Sequence, residues 1–139
     1  MAYWLVKSEP ETFSWDDLVK AGAKGEPWTG VRNHAAKLHL MAMKKGDRAF
    51  YYHSGGEREV VGVAEVTKAA YPDPTASEGP WVCVDIKSVA PTKTPVTLDA
   101  VKKTPKLKDM ALVKFSRLSV QPVTDEEWAL VCKMGGVKA

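Results

Sequence analysis

The sequence has few of the residues and runs on which several classes of protein depend. No apolar run approaches the ~20 residues that cross a bilayer, which argues against a membrane-spanning helix. Lys7 and Glu9 interrupt the first apolar segment, so we expect no export signal and a cytoplasmic location. The two cysteines, Cys83 and Cys132, lie far apart, and we expect two buried free thiols in a reducing compartment rather than a disulfide.

Motifs for metal binding, covalent catalysis and cofactor binding are also missing. The three histidines have no ligand spacing, since His34 and His39 are five positions apart and do not share a helix face. No G-x-S-x-G elbow surrounds Ser8 or Ser54, and no glycine-rich phosphate loop is present. We therefore predict no metal site, no catalytic nucleophile and no cofactor.

The composition is that of a globular protein with a mild positive charge. The 139 residues are 45% hydrophobic and 27% charged, which fits one compact domain over residues 1–139 with a core of its own. The net charge of +3 permits an acidic partner without requiring one. Two loose groups of basic residues indicate either solvated surface or a track for a phosphate backbone: Lys37, Lys44, Lys45 and Arg48, and Lys102, Lys103, Lys106, Lys108 and Lys114.

Alternating apolar residues and turn signals predict mostly strands, with short helices between them. The predicted strands span Tyr3–Ser8, Arg48–His53, Arg58–Thr67, Trp81–Val89 and Leu118–Val123, and residues 26–30 and 71–80 are predicted to be loops. The first predicted helix is Trp15–Ala21 after Ser14, and the second is Asn33–Met43, with Asn33 as N-cap and with Leu38, Met41 and Ala42 on one face. A third helix, Thr97–Lys103, is capped by Thr97. The C-terminal helix begins with a Thr124–Glu127 capping box and ends at Gly135. Gly62 inside a strand indicates a bulge or a close backbone approach. These elements predict an α+β fold, a small mixed barrel with helices over its ends.

Three short polar segments stand where a predicted strand or loop meets a helix or a turn, the usual place for binding groups on a rigid scaffold. They are Lys7–Glu9, Arg32–His34 and His53–Ser54. Trp28 and Trp81 lie in loops beside glycine and proline, so they are the better candidates for stacking on a flat ligand. The other tryptophans fall on alternating or helical apolar positions and are predicted to fill the core: Trp4, Trp15 and Trp128.

Each polar segment also has a structural explanation that needs no ligand. Asn33 is a good helix N-cap, and His53 fits a half-buried imidazole at the end of a strand. Arg32 is predicted to form an ion pair with Glu9 or Asp47 if it binds no ligand. The residues alone leave these alternatives open.

Several segments, taken in order, resemble the EVE domain family. They are YWLVKSEPETFSWDDL, GVRNHAAK after a Trp-Thr pair, KKGDRAFYYHS, VVGVAEV, YPDPTA, WVCVDI and RLSVQPVT. The resemblance runs from Tyr3 to about Trp128, and the order KSEP, GVRN, YHS is the specific part of it. It implies a PUA-like pseudo-β-barrel of about five to six strands with peripheral short helices.

The resemblance also implies a function. PUA-like relatives such as YTH domains hold a modified base in an aromatic-lined pocket, and EVE domains are thought to recognise modified bases in DNA or RNA without catalysis. The implied partner is thus a modified nucleobase. Separately, we expect a monomer with no membrane contact. The positions that match the family's pocket are Lys7, Ser8, Glu9, Trp28, Val31, Arg32, Asn33, His53 and Ser54, with Trp81 and Ser119 in the strands that follow.

The segment after GVRN departs from the family pattern. Many members have an aromatic residue or His followed by Gln-Ala-Arg, whereas this chain has His34 followed by Ala35, Ala36 and Lys37. Loss of the Gln and the change of Arg to Lys remove planar groups that form forked hydrogen bonds, so the ligand preference is expected to differ where those groups touch the ligand.

Two other functions compete with base binding. The same pocket would suit a sensor of a small anionic or heterocyclic ligand. A hydrolase acting on a modified nucleoside would use Glu9 and His53 as acid and base. The missing nucleophile, metal and cofactor motifs count against the hydrolase.

Overall fold

The computed structural model describes residues 1–138 and contains, within that range, six strands and five α-helices. The strands are β1 Tyr3–Ser8, β2 Glu26–Pro27, β3 Arg48–His53, β4 Glu59–Pro72, β5 Val82–Thr97 and β6 Val120–Val123. The helices are α1 Trp15–Ala21, α2 His34–Ala42, α3 Leu98–Lys102, α4 Ala111–Lys114 and α5 Asp125–Gly135, with short 3₁₀ turns at Gly22–Lys24 and Pro105–Leu107. In this range no helix has both the length and the apolar character needed to cross a membrane.

All six strands form one mixed sheet in the order β2-β5-β4-β3-β1-β6. The neighbouring strands β1 and β3 are parallel, and every other neighbouring pair is antiparallel. Leu5 in the middle of β1 lies opposite Phe50 on one side and Gln121 on the other. The edge strands β2 and β6 are at opposite ends of the order, so the sheet is open. The α+β class with short peripheral helices is confirmed, and the strands of the predicted barrel form one sheet that does not close.

Most strand and helix bounds agree with those predicted from the sequence, and the differences lie in long or very short elements. The bounds of β1, α1 and β3 are as predicted, whereas β4 and β5 run on to Pro72 and Thr97 as a long antiparallel arm. This arm has four shifts of register, which break the simple alternation that the sequence would otherwise show. Sequence patterns missed β2 and α4, because two and four residues are too few to show a period.

Helix caps follow the predicted residues. Asn33 and Thr97 accept hydrogen bonds from the backbone N–H groups of Ala36 and Ala100, and Ser14 and Thr124 form capping boxes. Helix α5 includes Gly135, and the left-handed residue that ends it is Gly136, with φ of 64°.

The apolar spacing in α2 predicted the wrong buried face. Leu38 and Met41 are 61% and 55% exposed, whereas Ala36 and Leu40 are fully buried. The helix packs on the sheet through Ala36 and Leu40, which are four positions apart and therefore share one face.

The core consists of two clusters, one on each side of the sheet. The α2 face, covered by α1 and α2, has these central members: Trp4, Val6, Trp15, Trp28, Tyr51, Val84 and Ile86. The α5 face, covered by α3, α4 and α5, has these: Leu5, Phe50, Tyr52, Val60, Val63, Trp128 and Val131. Alternate residues of β1 and β3 point to opposite clusters, as the period of a strand requires. The predicted core positions of Trp4, Trp15 and Trp128 are confirmed.

Gly62 and the two cysteines also behave as predicted. A Cβ atom on Gly62 would lie 2.5 Å from Cη2 of Trp15, and the register of β4 shifts beside it, so the residue marks both a close approach and a bulge. Cys83 and Cys132 are buried and unbridged. Burial raises the pKa of the Cys132 thiol to about 11, so this thiol is unreactive at neutral pH.

Candidate functional site

A cleft of about 480 Å³ opens between the end of β1 and the segment that runs from β2 towards α2. We call it the main cleft. Its lining is polar and apolar in similar parts and comprises Lys7, Ser8, Glu9, Thr12, Phe13, Glu26, Pro27, Trp28, Thr29, Gly30, Val31, Arg32 and Ser119. Seven of the eleven residues that the sequence predicted for a binding site are thus brought together: Lys7, Ser8, Glu9, Trp28, Val31, Arg32 and Ser119.

One wall of the main cleft is fixed by two hydroxyl groups on one carbonyl oxygen. Ser8 Oγ and the Tyr51 hydroxyl each donate a hydrogen bond of 2.8 Å to the backbone oxygen of Phe13. Burial raises the pKa of Tyr51, so its hydroxyl stays protonated and remains a donor at all physiological pH values. The turn that carries Phe13 is therefore held rigidly against the end of β1.

Trp28 forms the aromatic part of the lining and is only 9% exposed. Its backbone N–H donates a 2.7 Å hydrogen bond to Val84 in β5. Its ring meets Phe13 and Tyr51 edge-on, with centroid separations of 6.3 and 5.5 Å. These contacts set the orientation of the indole before any ligand arrives.

Asp73 holds the opposite wall, although it lies far away in sequence. Its buried carboxylate accepts hydrogen bonds from the backbone N–H of Gly30 at 2.8 Å and from Arg32 Nη1 at 3.1 Å, and also from the N–H and hydroxyl of Thr75. Burial alone would raise the pKa of Asp73, but the hydrogen bonds from Thr75, Gly30 and Arg32 outweigh it and lower the pKa to about 2. The carboxylate is thus ionised and fastens the loop before α2.

The ion pair of Arg32 with Asp73 corrects the sequence prediction, which named Glu9 or Asp47 as the partner. Asp47 instead accepts hydrogen bonds from Trp4 Nε1 and from the backbone N–H of Lys44. Arg32 also donates to Thr75 and to the carbonyl oxygen of Val31, and its side chain keeps an exposed fraction of 38%. The guanidinium is therefore held in place and still meets solvent at the cleft.

Trp81 lies outside the lining of the main cleft and contacts Arg32 and His34 beside it. The guanidinium carbon of Arg32 is 5.9 Å from the Trp81 ring centroid, and the His34 ring is 4.8 Å from it. Trp81 thus extends the wall formed by Arg32 instead of facing the interior of the cleft.

Asn33 caps α2 and does not line the main cleft. Its Oδ1 accepts a 3.0 Å hydrogen bond from the backbone N–H of Ala36, which confirms the structural explanation. The rest of its side chain borders a separate, mainly apolar hollow of about 590 Å³ between α2 and the segment before β6. A direct contact between Asn33 and a ligand stays a prediction.

His53 and Ser54 also lie outside the lining of the main cleft. His53 Nε2 accepts a 3.0 Å hydrogen bond from the backbone N–H of Trp15, so the imidazole is neutral and caps the start of α1. Burial lowers the pKa of His53, and Asp16 opposes this only partly. The backbone N–H of Ser54 donates to the carbonyl oxygen of Ser8. The predicted binding roles of His53, Ser54 and Trp81 are untested by this geometry and stay predictions.

Ser54 lines a smaller hollow of about 310 Å³ on the other side of Lys7, which we call the basic hollow. Its lining comprises Lys7, Tyr52, Ser54, Gly55, Arg58, Leu98, Leu112, Ser116 and Arg117. Lys7 is the residue common to the main cleft and the basic hollow.

Sequence reasoning missed two parts of the site. Thr12, Phe13 and Glu26 enter the main cleft only because β2 pairs with β5 and the turn after β1 folds back. Asp73 was also missed, although Asp-Pro-Thr at 73–75 is a pattern typical of a turn in which the carboxylate bonds to the backbone two residues on. No group of three or more potential metal-ligating side chains occurs within residues 1–138.

Comparisons with known proteins agree with this architecture. The thymocyte nuclear protein 1 of Gallus gallus is 36% identical over 164 residues, which cover 95% of this chain and 68% of that protein. The NMR structure of a protein from Rhodopseudomonas palustris is 68% identical, with a TM-score of 0.93, covering 98% of this chain and 94% of that one.

A second similar structure contains a ligand. The human THYN1 protein, in a crystal structure with DNA that contains 5-methylcytosine, is 32% identical with a TM-score of 0.91, and each chain is covered completely. The family model described as "EVE domain" matches residues 2–134. That match spans nearly every element from β1 to α5, so this chain belongs to the EVE domain family.

Proposed function

We propose that this protein is a non-catalytic binding module that holds a modified nucleobase of DNA or RNA in the main cleft. The observation that carries the proposal is the position of Trp28, a fixed and nearly buried indole on the lining of a cleft that also presents Arg32 and Ser8. The complex of the similar human THYN1 protein with DNA containing 5-methylcytosine supports a base of this kind as the ligand.

The chemistry of the lining suits an extruded base. A base is flat with donors and acceptors on its edge, so stacking and edge hydrogen bonds together hold it. Stacking on an aromatic ring contributes about 1–3 kcal/mol, and a forked contact from Arg contributes about 1–3 kcal/mol of discrimination. Because Asp73 and Phe13 fix the two walls, little ordering is left to occur on binding.

The position of His53 supports binding without catalysis. Its Nε2 already accepts the Trp15 N–H, and the ring does not line the main cleft, so it is poorly placed to act with Glu9 on a bound nucleoside. Turnover of a modified nucleoside that is lost in Glu9→Gln, while binding is kept, would instead establish the hydrolase.

The proposal is tested by the affinity for short oligonucleotides that differ in one base. We expect tighter binding of a strand with one modified base, 5-methylcytosine in DNA or N6-methyladenosine in RNA, than of its unmodified control at equal salt. Fluorescence anisotropy gives both affinities. The preference should fall in Trp28→Phe and in Arg32→Gln, since both side chains line the cleft.

The matched control is Trp15→Phe, which makes the same change in the same cluster at a residue that is 7% exposed and does not line the cleft. Circular dichroism checks that all variants fold. Equal affinity for modified and unmodified strands would contradict the proposal. Tight binding of a free nucleoside with no dependence on salt would favour the small-ligand sensor, because only a strand releases many counterions.

Three further expectations belong to the same proposal. We propose a monomer of one domain over residues 1–139 that works in the cytoplasm. Light scattering tests the monomer, limited proteolysis tests the single domain, and a fluorescent fusion in cells tests the location.

A further inference from the structure

The charged residues that line the basic hollow are all cations, and Arg58 also lines a neighbouring depression together with Glu57, Glu59 and Asp99. Lys7, Arg58 and Arg117 line it, and no carboxylate does. The ion pairs formed among residues 1–138 leave all three of these cations out. Three like charges around one depression repel one another, so the hollow favours an anion.

Lys7 is placed to bind such an anion. Its ammonium donates a 2.8 Å hydrogen bond to the carbonyl oxygen of Ser116 and lies 5.7 Å from the centroid of the Tyr52 ring. An ammonium has three donors, and within the described chain this is the one hydrogen bond it makes to the protein. Burial first, and then the charge of Arg58, lower the pKa of Lys7, which an incoming anion would reverse.

The segment that presents Arg117 is fixed by a buried side chain. Gln121 in β6 is fully buried, and its Nε2 donates to the carbonyl oxygens of Phe115 and Leu118, at 3.0 Å each. These bonds hold the turn on which Ser116 and Arg117 stand. On the other side, the carbonyl oxygen of Arg58 accepts a 2.9 Å bond from the N–H of Leu98. Both arginines thus project from anchored backbone.

The hollow and the main cleft are neighbours that share one lining residue. Lys7 lines both, and the 2.9 Å bond from Ser54 N–H to the Ser8 carbonyl oxygen joins their rims. We propose that the basic hollow, formed by Lys7, Arg58 and Arg117, binds the backbone phosphodiester next to the base held in the main cleft. This inference rests on the proposed function and assigns the side of the cleft along which the strand runs.

The proposal predicts a loss of affinity without a loss of discrimination. Arg58→Gln and Arg117→Gln should each weaken binding of modified and unmodified strands by a similar factor, about 3-fold to 10-fold. Each should also lower the slope of log affinity against log salt for single strands by about 0.7. The matched control is Lys133→Gln, the same loss of charge on α5 at a residue that lines a different hollow.

A second measurement locates the phosphate. Single phosphodiesters on either side of the modified base are replaced in turn by neutral methylphosphonates. One replacement should weaken binding to the natural protein. The same replacement should have little effect on the Arg58→Gln, Arg117→Gln double variant, because that variant has already lost the interaction between the arginines and this phosphate.

The outcomes separate this inference from the proposed function. If the modified strand is preferred but the arginine variants behave like Lys133→Gln, the phosphate site is overturned and the base pocket stands. If discrimination is absent but the arginine-dependent salt slope persists, the phosphate site stands and the base pocket fails. A third outcome is that inorganic phosphate binds through both arginines while no methylphosphonate replacement changes the affinity. The hollow would then bind free phosphate, and the proposal that it binds a phosphodiester of the strand would be overturned. Absence of any strand binding at low salt overturns both.

Discussion

The two faces of the sheet differ in how their aromatic residues are used. On the α5 face the rings of Phe50, Trp128 and Tyr3 stack, with centroids 3.9 and 4.3 Å apart. On the α2 face Tyr51 donates its hydroxyl hydrogen to Phe13, and Trp28 meets its neighbours edge-on. Adjacent residues of β3, Phe50 and Tyr51, therefore serve opposite purposes.

The difference explains why the main cleft lies where it does. Stacking between rings buries apolar area and stabilises the fold, but by itself it positions no group for a ligand. Edge contacts and hydrogen bonds fix the direction of a side chain and of the loop it touches. We therefore expect changes to the stacked rings of Phe50 and Trp128 to alter stability alone, and changes to Trp28 and Tyr51 beside the main cleft to alter both stability and binding.

The largest effect should come from the α5 face. Phe50→Ala removes a fully buried ring from the stack with Trp128, and we expect it to lower the free energy of unfolding by about 3–5 kcal/mol. Urea denaturation measures the loss. Oligonucleotide affinity of the folded protein, measured well below the melting temperature, should stay within twofold of the natural value. A large loss of affinity would abolish the distinction between the faces.

The next effect concerns the carboxylate that fastens the cleft wall. Asp73→Asn should cost about 2 kcal/mol at neutral pH, since the pKa falls from 3.8 to about 2 on folding and one pKa unit is about 1.4 kcal/mol. The folded pKa is lowered, so this stabilisation is present above about pH 4 and is lost as the pH falls towards 2. Denaturation of both proteins across this range should show their difference shrinking.

The control for Asp73 is Asp109→Asn. Asp109 pairs with Lys114 at 3.3 Å, but both side chains are more than half exposed, so we expect almost no change in stability. A similar cost for the two substitutions would show that Asp73 acts as an ordinary surface charge.

A smaller loss is expected for Tyr51→Phe. It deletes one of the two hydrogen bonds to the Phe13 carbonyl oxygen and keeps the ring, so the free energy of unfolding should fall by about 1 kcal/mol. The preference for a modified strand should fall as well, because the wall beside Trp28 loosens. Tyr51→Phe should therefore combine a small loss of stability with a loss of binding preference, whereas Phe50→Ala should combine a large loss of stability with unchanged binding.

The smallest effect involves pH near neutrality. The pKa of His53 is lowered in the folded protein, so folding favours its neutral form, and the associated stability is lost as the pH falls below about 6.5. His53→Gln should flatten this part of the stability profile. Burial also lowers the pKa of His39, so His39→Gln is run alongside to separate the two histidines. An unchanged profile in His53→Gln would remove His53 from the capping role.

Local patterns predicted most of the sheet and its helices. Short apolar runs that end at turn signals, YWLVKS before Pro10 and RAFYYH before Ser54-Gly55-Gly56, predicted β1 and β3 to the residue, and the middle of each strand is buried on both faces. Ser14, Asn33 and Thr124 gave helix starts because capping is a contact between near neighbours.

The site was only partly predictable because its contacts are not local. The family resemblance placed seven of its eleven residues in the main cleft, but Asp73 is 41 positions from Arg32, and no pattern in the sequence links the two. The buried face of α2 was not predictable for the same reason. Leu38 and Met41 are exposed because contacts with the sheet, which are distant in sequence, determine which face of the helix is buried.

The contact of Lys7 with the segment before β6 has a consequence for the way the protein is made. Lys7 N–H bonds to the Ser119 carbonyl oxygen, and Lys7 Nζ bonds to that of Ser116, across 109 positions of the chain. Contacts this distant form slowly in folding. During synthesis, β1 must wait with one edge unpaired until β6 has left the ribosome. Because Lys7 and Ser119 both line the main cleft, the cleft is complete only after β1 and the segment before β6 have met.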